Sequence, residues 1–445
     1  MPTPTHASRA LSRPQADDMR RPPPEGVSQL GSGPLLTQED LERRLAVVLK
    51  IAQRAVVVLG QDGYRDETAR EDSFGPDKPL AETAMLLYVA RAVAGPASLD
   101  RQIDELLLQL GPLARADRTA LAIALHPTIC FQLAMPHILL TRLGVEDARF
   151  DRLLALSAES LAHRGREVLP HRALEGLWLR SLWSGVPPGP EFDLAAANSV
   201  MNFSLDLLWG SREDAYAYTH TFMYMTDFGH QLRPLPRARS QVLEESTGLL
   251  ARSFLVEDFD LAAEVLMIWP LTAAAWTPAA TFGLRVLAEL EDRVGFLPAG
   301  NGTPEKFGRL EGSERTKYAL AASYHTAYVM GMLCALSLRP GRAPPSKIVG
   351  PLAPATLVEE LLGMIPAADT PWQLTFRKLD AGEQRALAPF LLDIALLASV
   401  RSHDFSGAAG LLGMAAKHGI ADTLVCAQSA ELLRRISTCA NPSLG

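Results

Sequence analysis

From Thr37 onward, the chain consists of segments in which apolar residues recur every three to four positions, separated by glycine and proline. The first segment reads LERRLAVVLKIAQRAVVVLG and ends at Gly60, and Thr37 with the acids after it is a helix-start signal. Later segments are predicted to stop at Gly95-Pro96 and Gly111-Pro112, whereas 61–78 is predicted to be a long loop. No alternating β-branched stretch has comparable strength, so the sequence predicts an all-α fold.

Two proline-rich breaks, at 185–190 and 339–354, divide the helical part of the chain. We expect a disordered Pro/Arg-rich tail (1–36), an N-terminal helical part (37–185), a central helical part with a candidate pocket (191–338) and a C-terminal helical part (353–439), the helical parts forming one continuous assembly. An acid leading into small apolar residues recurs near Phe192, Asp258 and Asp404, at irregular spacing. This pattern indicates antiparallel helix hairpins in series, curled into an (α/α) toroid or forming a short solenoid.

The net charge and the spacing of the cysteines indicate which binding partners and which cellular compartment to expect. The net charge is −7 and no long basic stripe is present, so we expect no nucleic-acid partner. The four cysteines are far apart with no C-x-x-C pair, which predicts buried or free thiols in a reducing compartment. No secretory signal is recognisable, and Arg strongly outnumbers Lys, as in a high-GC genome. We therefore expect a cytoplasmic bacterial protein.

Three long uncharged stretches, at 121–141, 265–284 and 318–338, approach the roughly 20 residues that span a bilayer. Prolines break the first two, and the third carries Tyr, Ser, His and Thr at its centre. Buried core helices explain these stretches better than membrane spans do, so membrane association is not expected.

The stretch SREDAYAYTHTFMYMTDFGH, from Ser211 to His230, places polar residues in an apolar helical pattern. Ser211 and Asp214 form a predicted capping box, and the helix is predicted to run for about 17 residues until Gly229 ends it. His220, Tyr224 and Asp227 would then lie at i, i+4 and i+7 on one face. A buried Asp needs a partner, and candidates are His230 and the arginines that follow, Arg233, Arg237 and Arg239.

A companion stretch, SYHTAYVMGMLCA, lies in a helix predicted to run from Ser313 to Arg339-Pro340. It is the candidate opposite wall of a mostly apolar pocket, because a His and several Tyr in apolar surroundings are the groups whose pKa values shift. The residues predicted to act in acid/base chemistry are His220, Tyr224, Asp227 and His325. The residues predicted to contact the substrate are Tyr324, Tyr328, His230 and Trp276.

Several chemistries lack their sequence signatures. No H-E-x-x-H or E-x-x-H pattern is present, so no metal site is predicted, and a metal would need side chains from different helices to converge. A Walker loop, a dinucleotide-binding glycine pattern, a G-x-S-x-G elbow and the aspartate-rich motifs of terpene synthases are also missing. No cofactor can be named from the sequence.

Two functions remain open at the level of sequence. One is a soluble helical enzyme, or a catalytic component of a bacterial small-molecule pathway such as that of a specialised metabolite, which binds a small molecule or peptide in its central pocket. The other is a non-catalytic helical-repeat scaffold or ligand- or partner-binding protein, with the N-terminal tail as a second contact. The same polar residues could also be core residues whose polar ends bond their neighbours.

Overall fold

The computed structural model describes residues 36–66, 73–93, 95–160, 167–299, 304–366 and 368–440. The predicted tail, apart from Leu36, lies outside these residues, and so does any partner contact made through it. Within the described residues the structure is helical, and its extended pairing is limited to one isolated antiparallel bridge between Tyr64 and Phe74. The prediction of an all-α protein is confirmed.

The helices of the first half of the chain are α1 (Gln38–Leu59), α2 (Asp77–Ala90), α3 (Ala97–Ala114), α4 (Asp117–Leu125), α5 (Cys130–Leu133), α6 (Met135–Arg142), α7 (Ala148–Ala158), α8 (Pro170–Ser184), α9 (Pro190–Ala197) and α10 (Arg212–Met225). Those of the second half are α11 (Arg239–Leu255), α12 (Phe259–Leu266), α13 (Ile268–Leu271), α14 (Pro278–Val294), α15 (Pro304–Arg309), α16 (Gly312–Ser337), α17 (Ala355–Met364), α18 (Pro371–Arg377), α19 (Ala381–Ala386), α20 (Ala388–Arg401), α21 (Phe405–His418) and α22 (Leu424–Ala440).

Local start signals in the sequence are reproduced in the structure. The Thr37 hydroxyl accepts a hydrogen bond from the backbone N–H of Asp40 and caps α1. Ser211 and Asp214 form the predicted capping box of α10, in which each side chain accepts from the other residue's backbone N–H. Both caps satisfy backbone donors that the first helical turn leaves without intrahelical partners.

The predicted stop at Gly111-Pro112 is wrong, because α3 continues through both residues to Ala114. Pro112 lies in the last turn, where its missing N–H removes a single intrahelical hydrogen bond. Leu110 and Ala114, on the two sides of this turn, are each at most 1% exposed. Burial of these side chains therefore outweighs the local signal.

The predicted end of α10 is also wrong, because the helix stops at Met225 and is 14 residues long. Asp227, Phe228 and Gly229 follow in the left-handed region, with φ of 49°, 47° and 78°. The Phe228 side chain is 1% exposed, and its backbone N–H donates to the carbonyl of Met223. This burial and bonding hold two non-glycine residues in a conformation that is unfavourable for L-residues.

The core is organised around α12 and α16. All eight residues of α12 are buried, and α12 packs against α16. The long helix α16 also lies along α1 and against α2, which brings the N-terminal and central sequence parts together. By length and composition α16 could cross a membrane, with a mean hydropathy of 1.3 over its most apolar window, but 67% of that window is buried inside the protein.

The four cysteines are free thiols, in agreement with the sequence prediction. Cys130, Cys334 and Cys426 are buried, and Cys439 is exposed. Burial raises the pKa of the Cys426 thiol to about 11, so this group stays protonated at neutral pH.

Candidate active site

A cavity of about 780 Å³ lies between α2, α8, α10, α12 and α16. Its lining includes both Leu169, which is 66% exposed, and Tyr328 and Met332, which are at most 5% exposed. Its apolar lining includes Met85, Met135, Met223 and Met332, flexible side chains that adapt to varied shapes. This volume falls within the range of pockets that enclose small-molecule ligands.

His325, on α16, lies at the centre of a group of carboxylates on the cavity wall. Its Nδ1 is 3.2 Å from Oε1 of Glu82 on α2. Its Nε2 is 3.5 Å from Oδ2 of Asp260 and 3.9 Å from Oε1 of Glu264, both on α12. The His325 side chain is 34% accessible, and His325 is one of the residues that line the cavity. Three helices therefore supply a histidine–carboxylate cluster, defined as Glu82, Asp260, Glu264 and His325.

The two acids of α12 are held in place by hydroxyl groups. Asp260 accepts from Tyr216 at 2.6 Å through Oδ2 and from Thr326 at 2.9 Å through Oδ1. Glu264 Oε2 accepts from Thr219 at 2.6 Å. Because Asp260 and Glu264 are spaced i, i+4, they project from one face of α12.

Two residues of α10 complete this wall. Nε2 of His220 is 3.6 Å from Oε1 of Glu264. The Tyr224 hydroxyl donates to Oε1 of Glu175 at 2.8 Å, and Arg172 contacts the same carboxylate at 3.2 Å. The cavity thus carries a second polar group beside the histidine–carboxylate cluster.

The electrostatics of the cluster are dominated by charge pairing. Burial alone would lower the pKa of His325, but the carboxylates of Glu82 and Asp260 outweigh it and raise this pKa well above its usual value. Burial opposes ionisation of Glu82, yet the neighbouring His325 imidazolium lowers the pKa of that carboxyl. The pKa of Asp260 lies below its usual range for the same reason, with His325 again opposing the effect of burial.

Tyr324 and Tyr328, on α16, border the cluster. The Tyr328 hydroxyl is 3.0 Å from the hydroxyl of Thr83. The Tyr324 hydroxyl and Oε2 of Glu82 are buried, and among the described residues neither has a hydrogen-bond partner of normal geometry. The two side chains interact with each other, and the Glu82 carboxylate adds to burial in raising the pKa of Tyr324. Neither buried atom has a well-aligned partner, and a polar group bound in the cavity would supply one.

The structure brings together five of the eight residues predicted from sequence, and His220, Tyr224, Tyr324, His325 and Tyr328 all line the cavity. The other three, Asp227, His230 and Trp276, are not among its lining residues.

Asp227 does not share the face of His220 and Tyr224, because α10 ends before it and its backbone is left-handed. Its carboxylate accepts from Trp178 at 2.7 Å and from Tyr88 at 3.0 Å. The expected arginine partners are therefore wrong. These buried bonds fix the turn that follows α10.

His230 and Trp276 serve neighbouring contacts. The His230 ring lies 4.6 Å from the Tyr88 ring, centroid to centroid, and its Nε2 is 3.4 Å from Arg339. The Trp276 indole donates to the carbonyl of Arg342 and stacks on Trp269. Both residues therefore make packing and hydrogen-bond contacts with residues that do not line the cavity.

Sequence reasoning missed the acids of the site: Glu82, Glu175, Asp260 and Glu264. A signal was present for two of them, because Asp260 and Glu264 are spaced i, i+4 in the otherwise apolar segment DLAAEVL. Two acids on one face of a helix that is apolar all round indicate a buried polar site. Glu82 and Glu175 lie in less distinctive contexts and had no comparable signal.

The fold and the site define an all-helical protein with a histidine–carboxylate cluster on the wall of a small-molecule-sized cavity. Residues 51–335 match a protein family described as a domain of unknown function, DUF6895. Since this match covers more than half of the 445 residues, the chain belongs to that family. The matched range includes every residue of the histidine–carboxylate cluster. No curated protein and no solved structure matches the chain.

Proposed function

We propose that this protein is a helical enzyme, or a catalytic component, of a bacterial small-molecule pathway, and that it binds its substrate in the cavity beside the histidine–carboxylate cluster. The observation that carries the proposal is the position of His325 within 4 Å of three carboxylates while part of its side chain faces the cavity. Such grouped ionisable residues at a cleft are typical of sites that orient and activate a bound molecule.

The mixed lining of the cavity supports a role for each kind of side chain. The methionines supply apolar contact area, which favours binding of the carbon skeleton of a substrate. The polar groups supply proton donors and acceptors, among them His220, 3.6 Å from Glu264, and the Tyr224–Glu175 pair. A substrate with an apolar body and a polar, reactive group fits this lining.

The finer arrangement of the helices and the location of the protein belong to the same proposal. Packing of α1 along α16 supports helix hairpins that curl back on themselves, because each unit of an open solenoid contacts only its neighbours. Free cysteines support a reducing, cytoplasmic setting.

The alternative function is a ligand- or partner-binding protein without turnover, for which the same cavity would serve as the binding site. A scaffold would present a concave exposed groove, whereas the cluster lines a cavity that includes buried residues such as Tyr328 and Met332. The cavity therefore favours the enzyme over a scaffold, and the assay of turnover separates the enzyme from a ligand-binding protein.

The test is to incubate purified protein with a small-molecule extract of bacterial cells and to follow its components by liquid chromatography and mass spectrometry. Wild-type protein is expected to consume some components and produce others, and His325→Gln and His220→Gln are expected to reduce this conversion at least tenfold. His126→Gln is the matched control, since His126 is exposed and does not line the cavity.

Circular dichroism melts of all four proteins separate loss of activity from loss of fold. Conversion that survives in both folded histidine variants would refute the role of the cluster. Compounds that are retained by wild-type protein but released unchanged would favour the ligand-binding alternative.

A further inference from the structure

We propose that Asp260, Glu264 and His325 form a binding site for one divalent first-row transition-metal ion, of the Mn²⁺, Fe²⁺ or Zn²⁺ type. One oxygen or nitrogen from each residue lies within 4.8 Å of the others. Two carboxylates and one imidazole form a hard-to-borderline donor set, which suits these ions better than the all-oxygen sites preferred by Mg²⁺ or Ca²⁺.

The separations of the donor atoms suit an ion better than direct contact. Nε2 of His325 is 3.5 Å from Asp260 and 3.9 Å from Glu264, longer than a good N–H···O hydrogen bond. Ligand atoms arranged tetrahedrally at about 2.1 Å from an ion lie roughly 3.4 Å from one another. The ligand atoms of Asp260 and Glu264 also lie within 4.8 Å of each other, so side-chain shifts of up to about 1 Å would bring all three to coordinating distance.

Neighbouring groups hold each of the three proposed ligands by hydrogen bonds or charge pairing. Glu82 lies 3.2 Å from Nδ1 of His325, as the carboxylate partner of a metal-bound imidazole does, and this leaves Nε2 to the ion. Hydroxyls of Tyr216 and Thr326 hold Asp260. Thr219 holds one oxygen of Glu264 and leaves the other toward His325.

The charges of the surroundings also favour a cation. Three carboxylates meet around the single imidazole of His325, and the Arg212 guanidinium is bonded to Asp258 at 2.6 Å and is 3.8 Å from Asp260. A separate observation is the buried Tyr324 hydroxyl on the same cavity wall, in a side chain that is 1% exposed, whose interaction with Glu82 falls outside normal hydrogen-bond geometry. A water or substrate oxygen in the cavity would complete the bonding of this hydroxyl.

With three protein ligands, the ion keeps open positions toward the cavity, as catalytic metal sites do. This assignment deepens the proposed function by making the cluster a metal centre, with His220 and the Tyr224–Glu175 pair left to exchange protons. Metal binding is measured without turnover, so its failure would leave the activity proposal standing, and the converse also holds.

The experiment uses full-length protein stripped with a chelator and titrated separately with Mn²⁺, Zn²⁺ and Mg²⁺ by calorimetry, with metal content measured after desalting. We expect one Mn²⁺ or Zn²⁺ per chain and at least tenfold weaker binding of Mg²⁺. Asp260→Asn, Glu264→Gln and His325→Gln are each expected to weaken binding by more than tenfold. Glu82→Gln, a positioning change, is expected to weaken it by about 10- to 100-fold while one ion per chain is kept.

Glu213→Gln is the matched control, because it removes a negative charge from the lining of the same cavity but supplies no proposed ligand. It should change affinity less than threefold, which separates coordination from general attraction. Melting curves of the metal-free variants report their folding.

The visible absorption of bound Co²⁺ reports the ligand set directly and should change in His325→Gln. Wild-type protein that binds none of the ions, binds Mg²⁺ as tightly as Mn²⁺ and Zn²⁺, or binds equally well in the three folded ligand variants would overturn the proposal.

Discussion

Asp393 on α20 makes the stability of the protein depend on pH in a defined way. The residue is 2% exposed, and its Oδ1 accepts a hydrogen bond from Thr423 at 2.6 Å. Burial raises the pKa of Asp393 from 3.8 to about 7, and the hydrogen bond from Thr423 only partly opposes this. Between these two values the folded protein holds a proton that the unfolded chain has lost, so the free energy of unfolding falls as pH rises.

The size of the effect follows from the shift. Each pKa unit corresponds to about 1.4 kcal/mol, so the whole window is worth about 4 kcal/mol, and the part between pH 5 and 7 about 3 kcal/mol. Asp393→Asn keeps an oxygen that accepts from Thr423 but cannot ionise. From pH 5 to 7, the free energy of unfolding of the wild-type protein should therefore fall by about 3 kcal/mol relative to that of the variant. Above pH 7 the difference between the two free energies should change little.

Urea unfolding followed by far-UV circular dichroism at half-unit pH steps measures this difference. Asp422→Asn, at an exposed neighbouring acid, is the control and should follow the wild-type curve. If the wild-type and Asp393→Asn curves run parallel from pH 5 to 7, Asp393 does not titrate there and the burial argument fails.

Three further predictions concern packing and buried polar groups. Arg44→Met should lower the free energy of unfolding in urea titrations by about 3–5 kcal/mol, because the fully buried Arg44 bonds the buried Glu291 at 2.6 Å. Adding Glu291→Leu removes the unpaired charge and should recover part of this free energy. If the double variant is no more stable than Arg44→Met, the reasoning is wrong. Gly331→Ala should lower the free energy of unfolding by about 1–3 kcal/mol, because an added Cβ would lie 2.6 Å from Val48. The double variant with Val48→Ala should lose less stability than the sum of the two single variants. Strictly additive losses would refute the steric clash. Asp227→Asn should lower stability by about 1–2 kcal/mol through loss of one buried acceptor while leaving Mn²⁺ affinity unchanged, and a matched loss of affinity in calorimetry would place Asp227 in the site after all.

The sequence by itself determined the features that depend on residues within one helical turn. The all-α class followed from apolar spacing, and the caps at Thr37 and Ser211 followed from side chains that bond backbone donors two or three residues ahead. His325 and its tyrosines were recognisable because they interrupt an apolar helix.

The tertiary structure alone decided which helix faces meet. It placed Glu82 against His325 and turned the two acids of α12 toward the same imidazole. It also excluded Asp227 from the site, because bonds from Trp178 and Tyr88 bend the chain after α10. Helical spacing tells which residues share a face, but the partner of that face is set by packing among helices far apart in the chain. The sequence therefore identified two of the three histidines and three of the six tyrosines that line the cavity, and only packing supplied the carboxylates that surround them.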